Sequence, residues 1–128
     1  FSGMLLRKYG NPYAAKPDKK LLKSFVEFCG RHVIEAACAT VSSLKIESQY
    51  LPFFKSRDII ALDMECSAVF TAARETGMRA IALMYATDVL GGHPCLYSAS
   101  PKDKQALKTS AEKAAQLICS FIKTRLHC

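Results

Sequence analysis

Apolar and polar positions fall in blocks along this chain, and the blocks differ in period. Ile59-Ile60-Ala61-Leu62-Asp63-Met64-Glu65 and Ala80-Ile81-Ala82-Leu83-Met84-Tyr85-Ala86-Thr87-Asp88 are short apolar runs, each closed by an acid. Runs of that length read as buried strands of a parallel sheet. Between them, Ala68, Val69, Ala72 and Ala73 sit at helical spacing, and Gly77 is placed to close that helix. Strand, helix, strand is a parallel crossover unit. It would bring Glu65 and Asp88 out at the carboxyl ends of two strands of one sheet, the edge where open α/β sheets bind ligands.

The rest of the chain supplies the flanking elements. Residues 1–16 read as irregular, with a turn at Gly10-Asn11-Pro12. Pro17 suits the first position of a helix whose apolar stripe is Leu21, Leu22, Phe25, Val26 and Cys29, and Gly30 ends it. Residues 33–41 are apolar enough for a strand, apart from Glu35, and 42–48 read as a loop. Pro52 limits a short helix or turn over 50–57, and Gly91-Gly92-His93-Pro94 marks a loop after Asp88. Ser100-Pro101-Lys102-Asp103 combines an N-cap, a proline at the first position and an acid three residues after the cap. Leu107, Ala111, Ala114, Ile118, Phe121 and Ile122 then mark one face of a long helix. The order helix, strand, strand, helix, strand, helix is an α/β layer architecture. The expected form is a partial αβα sandwich of about three strands, few for an independent doubly wound domain.

Composition narrows this little. The 128 residues fit one domain, 1–128, and half of them are hydrophobic. The net charge is +7, but the lysines are scattered on the polar faces of the expected helices. Solvated faces explain them, and nucleic acid is not the expected partner. The six cysteines form no C-x-x-C pair, and several lie inside apolar runs, so reduced thiols and a cytoplasmic setting are expected. No apolar stretch approaches the roughly 20 residues of a membrane span. No charged region precedes apolar residues at Phe1 as in a secretory signal, and position 1 is not Met, so a fragment or processed piece is expected. No metal-ligand set, G-x-S-x-G elbow, Walker loop or G-x-G-x-x-G occurs.

Asp63-Met64-Glu65-Cys66-Ser67-Ala68 opening a helix, then Gly77-x-Arg79-Ala80, an apolar run and Thr87-Asp88, resembles the nucleoside phosphorylase and nucleosidase superfamily. That family includes purine nucleoside and uridine phosphorylases, methylthioadenosine/S-adenosylhomocysteine nucleosidases and AMP nucleosidases. The resemblance runs from about Tyr9 to the C-terminus and covers roughly the second half of a family domain. It implies that a first half carries the phosphate loop. It also implies a homo-oligomer, or a pairing with that N-terminal half, with no membrane partner.

The resemblance further implies roles for single residues. Breaking an N-glycosidic bond puts positive charge on the ribose and negative charge on the leaving base, and an enzyme gains rate by stabilising both. Glu65 would bind the ribose hydroxyls, with Met64 packed against the sugar. Asp88, kept protonated, would donate to N7 of a leaving purine, which needs burial or a neighbouring acid. A pyrimidine has no N7, so Asp88 favours a purine nucleoside or nucleotide. Ser42-Ser43 marks the expected base-site loop, although Leu44-Lys45-Ile46-Glu47 stands where the family often has an aromatic pair. His93 lies in the loop after Asp88, within possible reach of a ligand. Asp63 reads as a sheet-end acid supporting the site rather than a catalytic one. No metal or organic cofactor is called for; phosphate is the co-substrate in a phosphorylase and water the nucleophile in a nucleosidase. A nucleoside-binding module without catalysis of its own is the alternative reading.

Overall fold

The computed structural model describes residues 15–43, 47, 49–89 and 100–126. In chain order these form α1 (Lys19–Cys29), a 3₁₀ turn (Gly30–His32), β1 (Ala37–Thr40), α2 (Leu51–Lys55), β2 (Ile59–Asp63), α3 (Cys66–Glu75) and α4 (Pro101–Leu126). The architecture is mixed α/β, with a small parallel sheet, flanking helices and a long C-terminal helix.

Local signals set most of the boundaries. Asp18 caps α1, its carboxylate accepting from the Leu21 amide at 2.7 Å. Ser100 and Asp103 close a reciprocal box at the start of α4: Ser100 N donates to Asp103 Oδ2 at 3.1 Å and Asp103 N to Ser100 Oγ at 3.2 Å. At the end of α3, Gly77 turns to φ +68°, Met78 N donates to the Ala73 carbonyl at 2.7 Å and Gly77 N to that of Arg74 at 3.2 Å. Those two bonds make a Schellman motif, which needs the left-handed residue that glycine provides.

β1 and β2 pair in parallel. Ala37 lies opposite Ile59, but the next pair is Cys38 with Ala61, followed by Ala39 with Leu62 and Thr40 with Asp63. Ile60 is therefore surplus on β2, a bulge, and its side chain is 68% exposed. Cys38, Thr40, Ala61 and Asp63 then share one face of the sheet, since alternate residues of a strand point the same way. Val41 N donates to the Asp63 carbonyl at 2.7 Å, carrying the pairing one residue further.

Two expectations need correction. Residues 80–88 join no ladder among the described residues, which hold two strands rather than three. Their alternation is strand-like: Ile81 and Leu83 pack on the cluster of Phe25, Cys29 and Phe121, while Ala82 and Met84 are exposed. A strand also needs a hydrogen-bonding neighbour, and the backbone bond described here, from Asp18 N to the Ala80 carbonyl at 2.8 Å, ties the segment to the start of α1. The second correction concerns α3. The helix forms as expected, but Ala68, Val69 and Ala72 of its apolar stripe are exposed.

The best-packed region joins α1 to α4. Phe25 and Phe121 meet edge to face at 5.0 Å between ring centroids, and Phe28 approaches Phe121 at 5.4 Å. Leu117 of α4 packs on this cluster, whereas Ile118 and Ile122 of the expected face are exposed.

Candidate active site

The carboxyl end of β2 runs into α3 through Met64 and Glu65. Glu65 holds the N-cap position of α3, and its carbonyl accepts from Ala68 N at 3.0 Å and Val69 N at 3.1 Å. Its side chain makes no capping bond to the helix. The carboxylate instead folds back, Oε2 accepting from the Met64 amide at 3.2 Å. Both side chains are exposed, Met64 to 45%.

Asp63 takes over the capping. Its Oδ2 accepts from Cys66 N at 2.5 Å and from Glu65 N at 3.3 Å. Its Oδ1 accepts from Thr40 Oγ1 at 2.7 Å, with Cys38 Sγ at 3.8 Å. Thr40 Oγ1 in turn accepts from Ser67 N at 3.0 Å. Partial burial alone would raise the Asp63 pKa, but bonds from the Cys66 side chain, from Thr40 and from the Cys66 and Glu65 amides outweigh it and hold the carboxyl below its usual range. A negative charge beside the first amides of α3 also suits the helix dipole. Asp63 thus stands at the sheet end and is engaged on both oxygens.

The two thiols beside it respond in the opposite sense. Burial, then the Asp63 charge and a hydrogen bond to it, push Cys38 up to about 11. Burial, then a hydrogen bond to Asp63 and its charge, push Cys66 up to about 12. Both therefore stay protonated donors near neutral pH. Among the described residues Cys29, Cys38, Cys66 and Cys119 are free thiols. Among the described residues no group of His, Cys, Asp and Glu could hold a metal ion. No described helix is long and apolar enough to cross a membrane.

Asp88 lies at the end of the 80–88 segment, exposed, with Thr87 Oγ1 donating to its Oδ1 at 2.9 Å. No sheet ladder joins this segment to β2 among the described residues, and no hydrogen bond links Asp88 to Glu65. A different acid, Glu47, is half-buried, and its carboxyl is raised first by burial and then by the Asp88 charge. Glu47 was visible in the sequence only as a departure from the family's aromatic pair; nothing local marks it as a neighbour of Asp88. Ser43 is half-buried just beyond the carboxyl end of β1. His93 lies outside the described residues.

Residues 3–123 match the family model described as the phosphorylase superfamily. The chain belongs to that superfamily. The match begins before Tyr9, where the resemblance of motifs starts, and it takes in the Asp63-Met64-Glu65 turn, the Thr87-Asp88 pair and most of α4. No curated protein and no solved structure matches the chain. Membership of the phosphorylase superfamily points to the cleavage of nucleoside glycosidic bonds in general.

Proposed function

We propose that this phosphorylase-superfamily chain forms the ribose and leaving-group side of a site that cleaves the glycosidic bond of purine nucleosides or nucleotides. The observation that carries the reading is the division of labour at the end of β2. Of the two acids there, Asp63 is spent on backbone and hydroxyl donors, while Glu65 is exposed beside Met64. An exposed carboxylate at that edge can accept hydrogen bonds from ribose hydroxyls and favour positive charge on the sugar. Asp88 is the proton donor to the purine. A second carboxyl near it supports this role: Glu47 is raised first by burial and then by the Asp88 charge.

The chain acts as the second half of a family domain, in a homo-oligomer or against an N-terminal half that supplies the phosphate loop. The exposed apolar stripe of α3, with Val69 at 53%, supports a further layer against it.

The test is release of free base from inosine, adenosine, AMP and methylthioadenosine by the full-length protein, with and without phosphate. Asp88→Asn is expected to lower kcat on the order of 100-fold or more. Glu65→Gln should lower kcat/KM for nucleosides by a comparable factor. Undiminished base release by Asp88→Asn would overturn its role. Nucleoside binding without turnover by the unaltered protein would establish the non-catalytic module instead.

A further inference from the structure

The strand-end hydrogen bonds carry a second role, which rests on the ribose reading of Glu65. An N-cap residue usually gives its own side chain to the helix amides. In α3 the N-cap residue is Glu65, and that duty has passed to Asp63, two residues earlier. Asp63 is in turn fixed by Thr40 from the neighbouring strand, 23 residues away in sequence, at 2.7 Å. Thr40 also receives the Ser67 amide at 3.0 Å. One run of bonds therefore crosses from β1 to β2 and on to α3, bracketing Met64 and Glu65 from both sides.

We propose that Thr40 and Asp63 are positioning residues for Met64 and Glu65, a latch that sets where the ribose-binding carboxylate stands and leaves it unoccupied by the helix. The chemistry of the latch is specific. Thr40 must both donate and accept through one hydroxyl, which Ser can do and Val cannot. Asp63 must accept on both oxygens, from amides on one and from a hydroxyl on the other; in Asn one of those atoms becomes a donor.

The experiment is a double-mutant cycle on the full-length protein, read as kcat/KM for inosine and adenosine. Equilibrium binding of hypoxanthine and adenine serves as a readout that does not involve the sugar. Thr40→Val should lower kcat/KM roughly tenfold, the effect of one lost hydrogen bond to a charged group, with free-base affinity unchanged. Thr40→Ser should restore most of it. In a Glu65→Gln background Thr40→Val should cost almost nothing further, because both changes act through one carboxylate. Additive losses, failure of Thr40→Ser to rescue, or an equal fall in free-base affinity would overturn the latch while leaving the ribose reading intact. A silent Glu65→Gln would overturn the ribose reading itself, and the latch with it. Should Thr40→Val not fold, Asp63→Asn enters the same cycle, with the same non-additivity expected.

Discussion

Asp63 shows how one carboxylate can be decided by its donors rather than by its exposure. Burial pushes its proton affinity up, and bonds from Cys66, Thr40 and two amides pull it further down, below the ordinary value of 3.8. The folded state thus binds this proton less tightly than the unfolded chain. Its stabilising contribution is complete above that ordinary value and is lost as pH falls through the lowered folded one. Asp63→Asn should therefore be less stable than the parent at neutral pH, with the gap closing in strong acid. Urea denaturation of both proteins across that range checks this, and a gap independent of pH would show that the charge contributes nothing. The acid itself was plain in the sequence as a sheet-end residue. Its partner was not, because the Thr40 hydroxyl reaches it through a strand register that no local pattern encodes. Glu47 was hidden for the same reason, since its nearness to Asp88 arises only when two distant segments meet.

Among the elements, those governed by local chemistry were legible and those governed by neighbours were not. The Ser100–Asp103 box and the Gly77 stop lie where sequence signals put them, whereas α1 starts at Lys19 behind its Asp18 cap and not at Pro17, because the Asp18 carboxylate takes the Leu21 amide. The stop offers a clean test. A Cβ on Gly77 would meet nothing within 4 Å, so Gly77→Ala carries only the conformational penalty of φ +68°. The expected loss is about 1–2 kcal/mol, read as a lower urea midpoint at unchanged slope. Gly77→Asn should lose less, and equal losses would argue against a conformational origin. Residues 80–88 show the opposite case. Composition and alternation both say strand, but pairing depends on what lies alongside. In α4 the 3.6-residue period marked a face through Ile118, Phe121 and Ile122, but the docking of α1 took Phe121 together with Leu117, outside that face, and left Ile118 and Ile122 exposed. A period gives the existence of a face; the partner decides its centre.

For the molecule as a whole, the aromatic cluster forms where α1 meets α4. Phe121 is 8% exposed and meets both Phe25 and Phe28, with the Arg125 guanidinium over its ring at 5.4 Å. Phe121→Ala should cost about 3–5 kcal/mol, most of the stability of a small domain. Ile122→Ala, one residue on and 48% exposed, should change stability by only a few tenths of a kcal/mol. Thermal melts of the two variants check the contrast, and similar losses would mean that the core is not centred on the aromatic cluster.

The surplus residue in β2 has a consequence that reaches beyond the sheet. Counted evenly from Ala37 and Ile59, the ladder would arrive with Leu62 opposite Thr40 and the aspartate one notch beyond it. Ile60 works as a vernier. By dropping out of the count it advances everything after it by one step, so that hydroxyl and carboxylate come level where the chain leaves the sheet. One residue thus serves spacing instead of packing, and through the proposed latch the placement of Glu65 depends on a residue that touches none of its chemistry.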